Sequence, residues 1–202
     1  MLSATTSLRY PDNWFNNDNQ FHQLYPAPIR SLATKHWTPL HITWRVAQFL
    51  APTENSRVLD IGSGVGKFCL AAAHCMPSAL FFGVEQRKDL VAHAERVRSK
   101  LGLGNARFIH GNFTQLDFRQ YDHFYFYNSF YENLVTTDKI DDSIAYSIEL
   151  YNYYNRYLYK KLDDMPAGTR LVTFHSLEEE IPPGYQLVES QVECLLKLWI
   201  KM

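Results

Sequence analysis

Residues 60–68 read DIGSGVGKF. An acid, three alternating glycines and a lysine are residue types that hold nucleotides. Glycines let the backbone turn tightly and bring its N–H groups against a ligand with no side chain between. Spacing decides which ligand. A phosphate loop needs G-x-x-x-x-G-K-[ST]. Gly66 and Lys67 supply its end, but its first glycine falls on Ile61 and its magnesium-binding hydroxyl on Phe68. A dinucleotide turn needs G-x-G-x-x-G. Gly62 and Gly64 fit, but Lys67 stands at the third glycine and Gly66 comes one position early. VLDIGSGVG (58–66) instead follows hydrophobic–acid–x–Gly–x–Gly–x–Gly at every position. On that pattern Lys67 is simply a residue of the helix that follows.

Further stretches carry matching chemistry. Glu85 closes the apolar run ALFFGVE (79–85). An acid about 20 residues past such glycines takes ribose hydroxyls in nucleotide folds. The bland alternative is a solvated loop charge. HGNF (110–113) brings Asn112, whose amide both accepts and donates, and Phe113, an apolar flat ring. A plain turn asparagine is the alternative there. FYFYNSFYENL (124–134) holds Asn128, Tyr131 and Glu132. Glu132 is the loop's carboxylate and could act as a base or hold a cation; the alternative is that Asn128 to Glu132 only shape the loop.

With these motifs in this order, residues 58–113 resemble the class I S-adenosylmethionine-dependent methyltransferases. The resemblance implies a Rossmann-like three-layer α/β sandwich whose seven-stranded, mostly parallel sheet ends in an antiparallel strand. It implies S-adenosylmethionine as cofactor, a cation without phosphate. Asp60 would face its methionine end, directly or through water, with Gly62, Ser63 and Gly64 forming the turn against it. Glu85 would take the ribose hydroxyls, Gln86 and Phe113 would border the adenine, and Asn112 would accept from the adenine amino group. NSFY (128–131) is similar to the [D/N]-P-P-[Y/F] motif of amine-methylating relatives, with Ser129 and Phe130 in place of the prolines. Asn128 would then touch cofactor and acceptor, and Asn128, Tyr131 and Glu132 are the catalytic candidates. DIGSGVGKFCLAAA, GVEQ, GNF and FYNSF are also similar, as scattered motifs, to the non-SET histone lysine methyltransferases. Both likenesses imply nitrogen as the acceptor.

Elements must position these residues. SRVLDI (56–61), 79–85, 105–110, 122–128 and 168–175 read as strands; 65–75, 88–101 and 138–162 read as helices between them. YQLVESQ (185–191) and 194–201 read as a closing pair. Such alternation gives a parallel sheet with helices on both faces, and ligands bind beyond its C-terminal strand ends. Residues 1–35 read as an irregular lead-in, followed by a helix from Thr38, its N-cap, and Pro39 to Leu50. The expected division is 1–50, a lead-in and helix covering the cofactor edge, and 51–202, the methyltransferase domain. KHWTPLH (35–41) is either a lid over the cofactor or a cover for the sheet edge. The tyrosines of LYNYYNRYLYKKL (150–162) suit packing on the sheet better than a stacking platform. His36, His41, His110 and His175 lack metal spacing and read as structural, so no metal is expected.

Composition bounds the rest. Twenty Lys and Arg against 21 Asp and Glu leave a net charge of −1, which supplies no basic face for unspecific nucleic-acid or membrane binding. A small molecule, a protein side chain or a structured RNA remains open as acceptor. Cys69, Cys75 and Cys194 form no C-x-x-C pair and read as buried, reduced thiols of a cytoplasmic protein. No apolar run is long enough for a membrane span, and the start lacks a signal peptide's apolar core. Nothing is expected to be appended after the last strand, so specificity would rest on residues 1–50 and 128–140. Two other readings compete: a protein that binds S-adenosylmethionine without catalysis, as sensor or assembly partner, and a nicotinamide-dependent oxidoreductase.

Overall fold

Parallel strands buried on both faces must be nearly continuous apolar runs, and VLDI, LFFGVE and HFYFY are, apart from Asp60, Glu85 and His123. The computed structural model describes residues 14–134, 139–176 and 178–202. Its strands are β1 (Arg57–Ile61), β2 (Leu80–Glu85), β3 (Ala106–His110), β4 (His123–Tyr127), β5 (Arg170–Phe174), β6 (Tyr185–Gln191) and β7 (Leu196–Lys201). They form one seven-stranded sheet in the order β3-β2-β1-β4-β5-β7-β6. The first five are mutually parallel, and β7 runs antiparallel to both β5 and β6. The α/β sandwich expected from the sequence is therefore present, with its antiparallel hairpin ending.

Helices α1 (Asp18–His22), α2 (Ala27–Arg30), α3 (Ala33–His36), α4 (Leu40–Leu50), α5 (Lys67–Cys75), α6 (Lys88–Leu101) and α7 (Ile148–Asp163) complete the fold. Alternate residues of each central strand feed opposite faces. Val58 and Tyr125 join the core under α4, α5 and α6; Leu59, Ile61, Phe124 and Phe126 join the core under α7. In α7 the buried residues are Tyr154, Leu158 and Leu162, one turn apart. Among the described residues, no helix is long and apolar enough to cross a membrane, and no group of three or more His, Cys, Asp or Glu is placed to hold a metal.

Several boundaries differ from the sequence reading, for physical reasons. Residues 14–36 are not irregular: three short helices pack Phe21 and Tyr25 into the same core as α4 and α5. Thr38 does not cap α4. Its hydroxyl bonds the Tyr125 hydroxyl at 2.7 Å, and the Leu40 N–H is capped by Asp18 Oδ1 at 3.1 Å, from a distant part of the chain. The glycine turn delays α5 until Lys67, with Gly66 at its N-cap. The long helix begins at Ile148, where the Ser147 hydroxyl accepts the Leu150 N–H. Residues 139–147 are non-helical, Ile144 is off the helix and Ile148 is half exposed; the expected start at Asp138 lies outside the described residues. Residues 1–13 of the lead-in also lie outside them. Of the three free cysteines only Cys69 is fully buried; Cys194 is exposed.

Candidate functional site

The C-terminal ends of β1, β2, β4 and β5 open on a cavity of about 680 Å³. Gly62, Gly64, Glu85, Gln86, Phe113 and Asn128 all line it. Residues far apart in sequence thus meet at the switch between β2 and β4, on either side of β1.

The glycine turn is built for close approach. Gly62 has φ +78°, and a Cβ there would lie 2.3 Å from the Ser129 hydroxyl oxygen. Ser129 in turn donates to the Ile61 carbonyl at 2.6 Å, locking the loop after β4 onto the turn. Gly64 has φ +53°, and a Cβ there would have no atom within 4 Å, so its backbone faces open space. Its N–H donates to Glu85 Oε2 at 3.1 Å. The other Glu85 oxygen accepts the Arg87 N–H at 2.9 Å. Glu85 is therefore a buried carboxylate fixed by two backbone donors, with lone pairs left for a ligand.

Asp60 is different. It lies at the floor of an adjoining recess of about 30 Å³, also lined by Ser63, Thr38 and Tyr125. That is room for a water. Burial, with Glu85 nearby, pushes its carboxyl up to about 8, against a weak contact from Cys69 Sγ at 3.6 Å. The Ser63 hydroxyl is buried with no hydrogen-bond partner among the described residues. A buried acid and an orphaned hydroxyl beside an open turn fit a cationic group arriving with a water. A diol suits Glu85, and the flat rings of Phe113 and Tyr154 suit a base. These residues fit S-adenosylmethionine.

Lys67 corrects the sequence reading. It is no ordinary helix residue: its side chain is almost fully buried and turned away from the large cavity. Its ammonium pairs with Asp18 and lies 3.2 Å from His22 Nε2, within reach of the Phe21 and Trp37 rings. The lysine of DIGSGVGKF pins the N-terminal segment, so that Lys35, His36 and Trp37 become cavity wall.

Asn112 is the second correction. It does not line the cavity. Its carbonyl oxygen accepts the Thr114 N–H and hydroxyl, at 3.0 and 2.9 Å, and its amide donates to Gln86 Oε1 and the Tyr154 hydroxyl, at 3.0 and 2.9 Å. All its capacity is used. It orients Gln86 and Tyr154, which do line the cavity.

Glu132 is the third. It is no free base, because Arg87 and the Tyr146 hydroxyl hold it and the Ile140 N–H donates to it at 3.2 Å. Asn128 and Tyr131 line the cavity, Asn128 at φ +37° and Tyr131 half exposed. The tyrosines of α7 divide: Tyr154 packs, Tyr157 donates to the Thr114 carbonyl at 2.6 Å, and Tyr153 is half exposed. His175, read as structural, lines the cavity at φ +62° and stacks on Tyr127. Sequence reasoning missed Arg87 and Tyr146. They are 59 residues apart with no local motif, although Arg87 Nη2 meets the Tyr146 hydroxyl.

Comparisons with known proteins agree with this geometry. The family model described as a methyltransferase domain matches residues 52–145. A tRNA (guanine-N(7)-)-methyltransferase of Nostoc sp. is 36% identical over 85 residues, covering 42% of this chain and 38% of the relative. That of Microcystis aeruginosa is 46% identical over 54 residues, covering 27% and 26%. The chain thus spans well under half the length of the curated relatives it matches. The crystal structure of an RNA methyltransferase from Salinibacter ruber with S-adenosyl-L-homocysteine superposes with TM-score 0.56 at 17% identity, over 82% of this chain and 92% of that one. Residues 52–145 thus match a methyltransferase domain, and the sheet order and the glycine turn with its two acids are those of the class I, S-adenosylmethionine-dependent fold.

Proposed function

We propose that the protein is an S-adenosylmethionine-dependent methyltransferase of the cytoplasm that acts on nitrogen. One observation carries the cofactor half. The glycine turn spends its Gly64 N–H on fixing the buried Glu85 carboxylate at the cavity, while its lysine is spent on Asp18. Arg87 also lines the cavity but is neutralised by Glu85, Glu132 and Asp141. The two acids beside the turn, Glu85 in the cavity and Asp60 in the adjoining recess, suit a phosphate-free cation better than a doubly charged pyrophosphate.

When bound, the cofactor supplies an activated methyl group and leaves as a neutral thioether. This chain's part is to hold and orient. Glu85 takes the ribose diol, and Gln86, held by Asn112, presents its amide N–H₂ to the adenine. Phe113 and Tyr154, packed edge to face, give that ring one apolar wall. Asp60 and Ser63 receive the methionine amine through a water. Asn128 and Tyr131, beyond the end of β4, orient the acceptor. Because Glu132 is committed to Arg87, the site suits a nitrogen with a lone pair and no proton to lose.

RNA is the acceptor class favoured by the relatives' names, and a ring nitrogen of a base has that lone pair. Against a net charge of −1, such an RNA would be held by its shape and by the exposed base rather than by many phosphate contacts. Calorimetry with S-adenosylmethionine, S-adenosylhomocysteine and NAD separates this reading from an oxidoreductase; failure to bind either sulfur compound overturns it. Transfer of labelled methyl to cell extract, split before counting into ribonuclease-treated and protease-treated halves, identifies the acceptor class. Binding without any transfer would mark a sensor instead.

A further inference from the structure

Arg87 has more partners than a structural ion pair requires. Its side chain is 6% exposed, in the wall of the cavity. The guanidinium Nε donates to Asp141 Oδ1 at 3.1 Å. Nη2 reaches both Glu132 Oε2 and the Tyr146 hydroxyl. Nη1 lies 3.5 Å from Glu85 Oε1, too far for a strong hydrogen bond, so that carboxylate keeps its capacity for a ligand. The Tyr146 hydroxyl lies 3.0 Å from Glu132 Oε2 and 2.6 Å from the Asp141 carbonyl. Burial, with Glu132 beside it, pushes Tyr146 up to about 12, so it stays a donor at neutral pH.

This cluster joins two parts of the chain that are distant in sequence. On one side is the end of β2 with Glu85. On the other is the segment that follows β4, carrying Glu132, Asp141 and Tyr146. Ile140 and Ile144 of that segment line the cavity as well, so the cluster fixes a whole wall. Only an arginine fork can serve these partners at once; an ammonium is a point charge. Buried ion pairs add little net stability over apolar packing, yet breaking one is severe. Such a device suits a closed geometry more than a stable core.

We propose that Arg87, Glu132 and Tyr146 form a clasp that closes residues 139–146 over the nucleoside end of the bound cofactor, with Arg87 as the positioning residue that sets how fast the cofactor product leaves. The clasp rests on the cofactor reading above. The nucleoside sits between Glu85 and the wall that Arg87 holds. Release therefore requires the guanidinium to part from Glu132 and Tyr146. Entry into an opened site needs no such rupture.

The test is the release of tritiated S-adenosylhomocysteine, chased with unlabelled compound, from the full chain and from Arg87→Lys, Glu132→Gln and Tyr146→Phe. Expected are release at least tenfold faster in Arg87→Lys and Glu132→Gln, about threefold faster in Tyr146→Phe, and association changed less than threefold throughout. A merely structural role would lower the unfolding temperature and leave release within twofold of the parent; that result overturns the clasp. Should Arg87→Lys fail to fold, the near-isosteric Glu132→Gln and Tyr146→Phe decide. Tight binding by the parent with unchanged release in the variants removes the clasp alone. No binding by the parent removes the clasp together with the cofactor reading.

Discussion

The two halves of the cavity hold their polar groups by different means. On the β1–β2 side, Glu85 is fixed by the N–H groups of Gly64 and Arg87, both set by local turns. On the β4 side, Glu132 is fixed by the Arg87 and Tyr146 side chains, which come from other parts of the chain. Backbone donors cost no side-chain entropy to order and cannot swing away. Side-chain donors can rearrange. The first half suits a group held the same way in every turnover, the cofactor's ribose; the second suits contacts that must break for a ligand to enter and leave.

Removing the fixed carboxylate should have the largest effect. Glu85→Ala deletes the carboxylate proposed to accept from two ribose hydroxyls and leaves the Gly64 and Arg87 N–H groups without it. Charged hydrogen bonds are worth about 1.5–3 kcal/mol each, so S-adenosylhomocysteine affinity should fall at least ~100-fold by calorimetry. A loss below about fivefold would mean that the cofactor is not held by the backbone-fixed half.

The turn itself comes next. Gly62→Ala forces a Cβ to within 2.3 Å of the Ser129 oxygen at positive φ, and should destabilise the fold by about 2–3 kcal/mol. Gly64→Ala meets no atom and carries only the backbone strain, about 1 kcal/mol. Denaturant unfolding measures both. Equal losses would show that Ser129 does not lock the two halves together as its geometry says.

The same contrast explains what could be read from the sequence. Glycines and acids at strand ends act through backbone at short range, so DIGSGVGKF and GVE announced the fold and the Glu85 side of the site. The strands needed only their apolar runs. Lys67 misled because its partner, Asp18, is 49 residues earlier, in a segment whose polar tract NNDNQ hides a helix cap. Arg87 gave no signal, because its three partners beyond Glu85 lie 45 to 59 residues away. Asn112 was read as a direct ligand contact, but its two amide bonds to Gln86 and Tyr154 make it a support for two residues that line the cavity.

Asp60 offers a third way to probe the fixed half. Its carboxyl is raised to about 8 by burial, above its ordinary value of 3.8. In the free protein it binds a proton across the window between those values that the unfolded chain has lost. Stability of the free protein should therefore decline as pH rises through that window. A cationic amine needs the carboxylate, so binding should release a proton there. Affinity for S-adenosylhomocysteine should rise up to about tenfold from pH 6 to pH 7 and level off near pH 8, and buffers of different ionisation heat should report proton release. Asp60→Asn should flatten that rise. A flat profile in the parent would take Asp60 out of the ligand's reach.

The smallest effect cuts between the halves most finely. Asn128 sits at φ +37° at the end of β4, where glycine is less strained. Asn tolerates that region better than most residues, so Asn128→Gly should gain at most about 1 kcal/mol of stability in denaturant unfolding. If Asn128 belongs to the acceptor half, the same variant should bind S-adenosylhomocysteine within twofold of the parent while methyl transfer to the extract acceptor drops at least about tenfold. If cofactor affinity falls by a similar factor, Asn128 holds the cofactor instead. The boundary between a backbone-fixed half and a side-chain-fixed half would then run through the loop after β4 rather than between β1 and β4.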